Sequence, residues 1–218
     1  MHINFTEIQF PELKLRTRDA HKLRGYFGNL FKEHSPMLHN HLESGEQAYH
    51  YPMVQYKVLN STPVLIGLDK GARLLVDLFL QIKELNLDGE TYPVNQKNIG
   101  GKKVELRVDN DLHEYEFQTL WMPLNQANHR KYINGENHEK LNLLKSILTG
   151  NILSFYKSFD YRVDKQIMVK PDLKEKTTKF KDKTMFAFEG TFITNAILPD
   201  HIGIGKAVSR GFGTVKKH

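Results

Sequence analysis

Apolar residues in this chain change their period in a fixed order, and that order restricts the fold more than any other feature. Ile3 and Phe5, then Ile8 and Phe10, alternate across residues 3–10 as in a strand, and Pro11 ends it. Ala20, Leu23, Phe27, Leu30 and Phe31 fall at helical spacing over residues 19–32, with Lys22 and Arg24 off the apolar face. Val54, Tyr56 and Val58 alternate within residues 53–59. A second strand, 64–68, follows the turn residues Asn60-Ser61-Thr62-Pro63. A second helix is expected over residues 72–85, with Leu75, Leu78, Phe79 and Ile82 on its buried side. Residues 94–108 return to extended character, broken at Gly100-Gly101. Strand, helix, strand, strand, helix, strand is the split βαβ, or ferredoxin-like, order.

The order then starts again. Residues 113–122 read as a strand closed by Pro123. Residues 136–148 read as a helix, with Leu141, Leu144, Ile147 and Leu148 on one face and Gly150 beyond it. Residues 161–169 and 185–192 are expected strands. Between them residues 170–183 hold six lysines, and read either as a solvated hairpin loop or as an arm that contacts phosphate. Phe155, Tyr156 and Phe159 read as core. The halves share no sequence repeat, so the duplication rests on element order. The expected fold class is α+β with two tandem ferredoxin-like (βαββαβ) domains, residues 1–109 and 110–218, divided near Asp109-Asn110-Asp111.

Composition narrows the setting. There is no cysteine, which removes disulfides and thiolate metal sites and favours a cytoplasmic location. No apolar run approaches the roughly 20 residues of a membrane span, and the N-terminus carries no secretory pattern. No membrane partner is expected. The net charge of +6 suits a polyanionic partner, provided the charge is clustered.

It is clustered at the end of the chain. Gly203, Gly205, Lys206, Arg210, Gly211, Gly213, Lys216 and Lys217 give two Gly-x-Gly units with four cations and no acid. Glycine tolerates positive φ and leaves N–H groups uncovered, and successive N–H groups form an anion-binding concavity. A plain turn between two strands is the competing explanation. A dinucleotide-binding loop would have to open a helix early in a βαβ unit, and here Ala207-Val208 follow the first pair near the end of the chain. An RNA-recognition motif matches residues 210–215 only at its start, because Thr214 and Lys217 stand where aromatic residues should stack bases. The segment therefore reads as a nucleic-acid phosphate contact.

Residues 203–213 resemble the terminal glycine-rich loop of the repeat-associated mysterious protein superfamily. Within it the resemblance is to the CRISPR repeat-RNA endoribonucleases of the paired-histidine branch. It extends to Lys22-Leu23-Arg24-Gly25-Tyr26-Phe27, to Leu38-His39-Asn40-His41 leading to Tyr51-Pro52-Met53-Val54-Gln55-Tyr56-Lys57, and to Phe188-Glu189-Gly190-Thr191-Phe192-Ile193-Thr194-Asn195. The resemblance implies metal-independent cleavage of repeat RNA by the ribose 2′-hydroxyl, leaving 2′,3′-cyclic phosphate and 5′-hydroxyl ends. It implies no cofactor, and catalysis on His39 and His41. Tyr49 is a further candidate as hydrogen-bond donor, and Lys57 as a cation offsetting phosphate charge. The expected partners are CRISPR repeat RNA, other effector subunits and a second copy in a homodimer.

Histidine suits either proton-transfer role near neutral pH. Spacing does not say which histidine is base and which acid. Without the resemblance, His39-x-His41 reads equally as a surface pair. His34, His39, His41 and His50 could supply a zinc ligand, but their spacings match no ligand pattern. The alternative function is a non-catalytic RNA-binding subunit of a CRISPR effector complex, which would have no use for the histidine pair.

Overall fold

The computed structural model describes residues 1–30, 51–180 and 183–218. The chain forms two units. One takes in residues 2–104 with 208–211. The other takes in residues 105–207 and 212–218, with Met1.

In the first unit β1 (His2–Gln9), β2 (Val54–Leu59), β3 (Thr62–Leu68) and β6 (Asn98–Glu105) form one sheet in the order β2-β3-β1-β6. β2 and β3 are joined by a two-residue hairpin, with Leu59 opposite Thr62 and both Asn60 and Ser61 at positive φ. Two successive positive φ values match the twist of the flanking strands. α1 (Ala20–Leu30) and α2 (Lys70–Leu78) supply Leu23, Phe27, Leu74, Leu75 and Leu78 to a core that includes Ile8, Phe10, Tyr56, Val58 and Leu65. Phe27 stacks on Tyr56 with ring centroids 5.9 Å apart.

The helix expected over residues 72–85 starts earlier, stops at Leu78, and passes through a short 3-10 turn. Leu85 and Leu87 are buried while Glu84 and Asn86 are exposed, a period of two, in β4 (Glu84–Leu87). β4 pairs with β5 (Glu90–Pro93) across Asp88-Gly89, a strong hairpin signal that the apolar spacing of Ile82 and Leu85 had masked.

In the second unit β7 (Val108–Phe117), β8 (Val169–Phe180), β9 (Lys183–Ala196) and β10 (Val215–Lys217) run in the order β10-β7-β9-β8. Numbered by their own sequence, both sheets read 4-1-3-2, the ferredoxin-like order. α3 (Gln126–Asn134), a helix the apolar pattern did not reveal, precedes α4 (Asn137–Lys157). α4 is 21 residues long and runs through Gly150 rather than ending before it. Leu144, Leu148, Ile152, Phe155 and Tyr156 form its buried stripe, and Leu141 is exposed.

The strand expected at 161–169 is absent. β8 begins at Val169, so the basic stretch read as a connection is mostly strand, paired along its length with β9. Lys174 lies opposite Glu189 and Lys176 opposite Ala187. β8 is an edge strand, where lysines keep the unpaired side solvated.

Between β9 and β10, where a second helix would complete the pattern, the described residues form no α-helix, only a 3-10 turn at Val208–Arg210. The glycine-rich segment occupies that position.

Candidate nucleic-acid interface

The glycine-rich segment is held by its own backbone. Ile204 N donates to Gly213 O at 2.8 Å, and Val215 N donates to Ile202 O at 2.9 Å. Gly213 N donates to Leu120 O at 2.9 Å. Gly205 has φ +96°, and a Cβ there would lie 2.6 Å from the Trp121 indole nitrogen. At Gly213, φ +63°, a Cβ would lie 2.0 Å from Ile204 O. Packing inside the second unit therefore demands both glycines. Lys206 is half-buried, donates from Nζ to Leu124 O at 2.8 Å, and burial pulls its pKa below the ordinary lysine value. Its charge is aimed at a carbonyl of the protein. Gly203 pairs with Thr214. Lys216 and Lys217 are exposed on β10, where Lys217 N donates to Asp200 Oδ1 at 2.8 Å.

Arg210 and Gly211 differ from these neighbours, because they belong to the first unit. Gly211 has φ +88°, and a Cβ there would lie 2.8 Å from Ala20 Cβ and 3.2 Å from Tyr56 O. The chain thus passes against the first turn of α1 and the backbone of β2, where only glycine fits. Arg210 is partly buried. Burial, and then Arg24 nearby, pull its pKa down from the usual arginine value. Arg24 was legible only as part of the Lys22–Phe27 motif and was not singled out as a site residue.

Tyr51, Pro52 and Gln55 form one local arrangement. Gln55 is fully buried and donates from Nε2 to Tyr51 Oη at 2.9 Å and to Pro52 O at 3.2 Å, which fixes the entry to β2. Lys57 is fully buried, and desolvation pushes its pKa down to about 7. His39, His41 and Tyr49, like His34 and His50, lie outside the described residues. Among the described residues no three or more His, Asp or Glu side chains gather as a metal site would require. No helix among the described residues is long and apolar enough to cross a membrane.

Comparison with known proteins extends over the whole chain. Residues 1–105 match the Cas6b N-terminal domain, and residues 107–218 match the Cas6b C-terminal domain. An uncharacterized protein of Methanocaldococcus jannaschii is 36% identical over 140 residues, 64% of this chain and 95% of that protein. A crystal structure of Cas6b is 35% identical, covers all of both chains and superimposes with a TM-score of 0.95. A crystal structure of a CRISPR RNA processing endoribonuclease Cas6b is 32% identical over the full length of both chains, with a TM-score of 0.82. Two domain matches that together span the chain, with a fold shared from end to end, establish that it belongs to the Cas6b family of CRISPR RNA processing endoribonucleases.

Proposed function

We propose that this protein cleaves CRISPR repeat RNA without a metal, using the ribose 2′-hydroxyl beside the scissile phosphate as nucleophile. The 2′-oxygen forms a bond to phosphorus as the bond to the 5′-oxygen breaks. The products are a 2′,3′-cyclic phosphate and a 5′-hydroxyl. The 2′-proton passes to one histidine of the His39/His41 pair, and the other protonates the departing 5′-oxygen. Each such proton transfer contributes about 10²–10⁴ in rate. Tyr49 donates a hydrogen bond near the phosphate, while Lys57, fully buried and with its pKa pushed down to about 7, is poorly placed to offset the phosphate charge.

The observation that carries this reading is the presence of His39-x-His41, followed by the anchored Tyr51–Gln55 arrangement, in a chain that matches both domains of this family. The glycine-rich segment with Arg210, Lys216 and Lys217 holds the RNA backbone, and Lys206 and the packed glycines shape that segment. The same reading places the protein in the cytoplasm, acting alone, as a homodimer or beside other effector subunits; sizing of the protein with and without RNA separates the first two.

The test is repeat RNA incubated with the protein in chelator, with and without a 2′-deoxy substitution at the cut site. Cleavage of the ribose substrate alone is expected. Cutting of the deoxy substrate, or a requirement for a divalent cation, overturns the mechanism.

A further inference from the structure

Strand β6 carries a pair of glycines that its own packing does not require. It is the outer strand of the first unit's sheet, and among the described residues no strand pairs with its far edge. Residues 98–103 are exposed along it. Gly100 and Gly101 lie in its interior, and neither has a positive φ. A Cβ at Gly100 would meet nothing within 4 Å, and one at Gly101 only Phe5 O at 4.0 Å. Side chains would fit at both positions, and glycine weakens the interior of a strand. Such a pair marks a place where a ligand comes close to the backbone.

The glycines border a cleft of about 380 Å³. Clefts for small ligands span roughly 300–1,000 Å³, so this one suits a single nucleotide and not a duplex. Phe5, Glu7 and Gln9 alternate along β1 and line the other side, on the face of the strand opposite Ile8 and Phe10 of the helix-packed core. Gln9 Nε2 donates to Glu7 Oε1, which fixes the amide. The second amide hydrogen and Oε1 remain as an adjacent donor and acceptor, the pair that reads adenine in bidentate fashion. Ile99, 41% exposed, offers an apolar surface to the plane of a base. Lys102 closes the cleft, with Nζ 5.2 Å from the Phe5 ring centroid. An ammonium held there suits the phosphate attached to the base. Lys102 and Lys103, side by side, oppose the addition of another protein strand along this edge.

We propose that this cleft takes one unpaired adenine nucleotide of the bound RNA, read by the Gln9 amide and held through its phosphate by Lys102. Unpaired bases are the part of an RNA whose edges a protein reads directly. The proposal rests on the reading that the protein binds repeat RNA. Glu7 is the positioning residue, acting through Gln9.

The experiment measures affinity for repeat RNA with a 2′-deoxy group at the cut site, in which each nucleotide in turn is made abasic. Wild-type binding should weaken about 5–150-fold at one unpaired position, the discrimination given by one bidentate base contact. Adenine should bind best of the four bases at that position, and purine riboside, which lacks the amino group, should lose most of the gain. Gln9→Leu and Gly100→Val should bind the intact repeat more weakly by a similar factor and lose nothing further at that position. Glu7→Ala should flatten the base preference there, and Glu7→Gln should restore part of it. Lys102→Ala should make the slope of log affinity against log salt shallower by about 0.7.

Gly100→Val should melt no lower than the wild type, because a Cβ there meets open space; Gly100→Ala replaces it where valine disturbs the strand. Wild-type protein that binds and cuts the repeat, with folded Gln9 and Gly100 variants doing so equally, overturns the cleft alone. A preferred base other than adenine also overturns it. Wild-type protein that does not bind the repeat overturns the functional reading as well.

Discussion

The two sheets share one strand order but end in different connections. In the first unit α2 follows β3 and lays Leu74, Leu75 and Leu78 on the core. Its backbone polar groups are satisfied within the helix, so it presents only side chains. In the second unit the corresponding connection is the glycine-rich segment after β9. Its carbonyls and N–H groups are tied to one another and to Leu120, and three of its glycines have positive φ. The same segment carries Arg210 and Gly211, which pack within the first unit. One sheet plan thus yields a packing element in one half and a presenting element in the other.

The proposed mechanism gives the chemistry to His39 and His41 and the grip to the glycine-rich segment, and the largest prediction tests that division. His39→Ala with His41→Ala should slow single-turnover cleavage by about 10⁴-fold or more, from two proton transfers each worth about 10²–10⁴. Affinity for the deoxy-substituted repeat should change less than threefold. A double variant that cuts normally moves the chemistry elsewhere. One that no longer binds makes the histidines part of the grip.

Gly213→Ala attacks the presenting loop. The added methyl would sit 2.0 Å from Ile204 O at a residue with φ +63°. Left-handed strain of about 1–2 kcal/mol adds to an overpacking cost of about 1–3 kcal/mol. Differential scanning calorimetry should show melting lowered by roughly 4–20 °C, taking about 2–4 °C per kcal/mol for a chain of this size. A variant that melts with the wild type and loses only RNA affinity would assign this glycine to the ligand instead of to packing.

The edge strands extend the comparison to buried and exposed lysine. On β8, Lys170, Lys174 and Lys176 are exposed. On β2, Lys57 is fully buried, with its pKa pushed down to about 7. The folded pKa is below the unfolded one, so between about pH 7 and 10 the unfolded chain holds more protons at this position. Stability should therefore rise with pH across that window through this group, and fall as pH drops through 7 and the buried ammonium charges. Denaturant unfolding of Lys57→Met should show the slope reduced by up to one proton's worth, about 1.4 kcal/mol per pH unit. Lys174→Met should leave it unchanged. Equal slopes in wild type and Lys57→Met would mean that Lys57 keeps its charge when buried.

The first half was more legible than the second for a physical reason. Around β1, α1, β2 and β3 the apolar period matches the element, because each buries one face or both. β8 is an edge strand whose lysines mimic a loop, and α3 buries only Tyr132, too little to mark a helix. The cations of the glycine segment were visible, but their division was not. Lys206 turns inward to Leu124 O and Arg210 packs within the first unit, and both follow from long-range packing that no local pattern encodes.

Gly150 gives the smallest effect and the sharpest contrast. It resembled a helix end in sequence because glycine so often follows the last turn. In α4 it lies mid-helix, exposed, and a Cβ there would meet nothing within 4 Å. The residue then costs backbone entropy without a packing return, about 0.5–1 kcal/mol relative to alanine. Gly150→Ala should raise the melting temperature by about 1–4 °C with cleavage and RNA affinity unchanged. The same substitution thus has opposite signs at Gly150 and Gly213, because free space surrounds one backbone and a carbonyl abuts the other. A Gly150→Ala protein that weakens RNA binding would place the outer face of α4 on the RNA path, and the division between presenting and packing elements would then fail in the second unit.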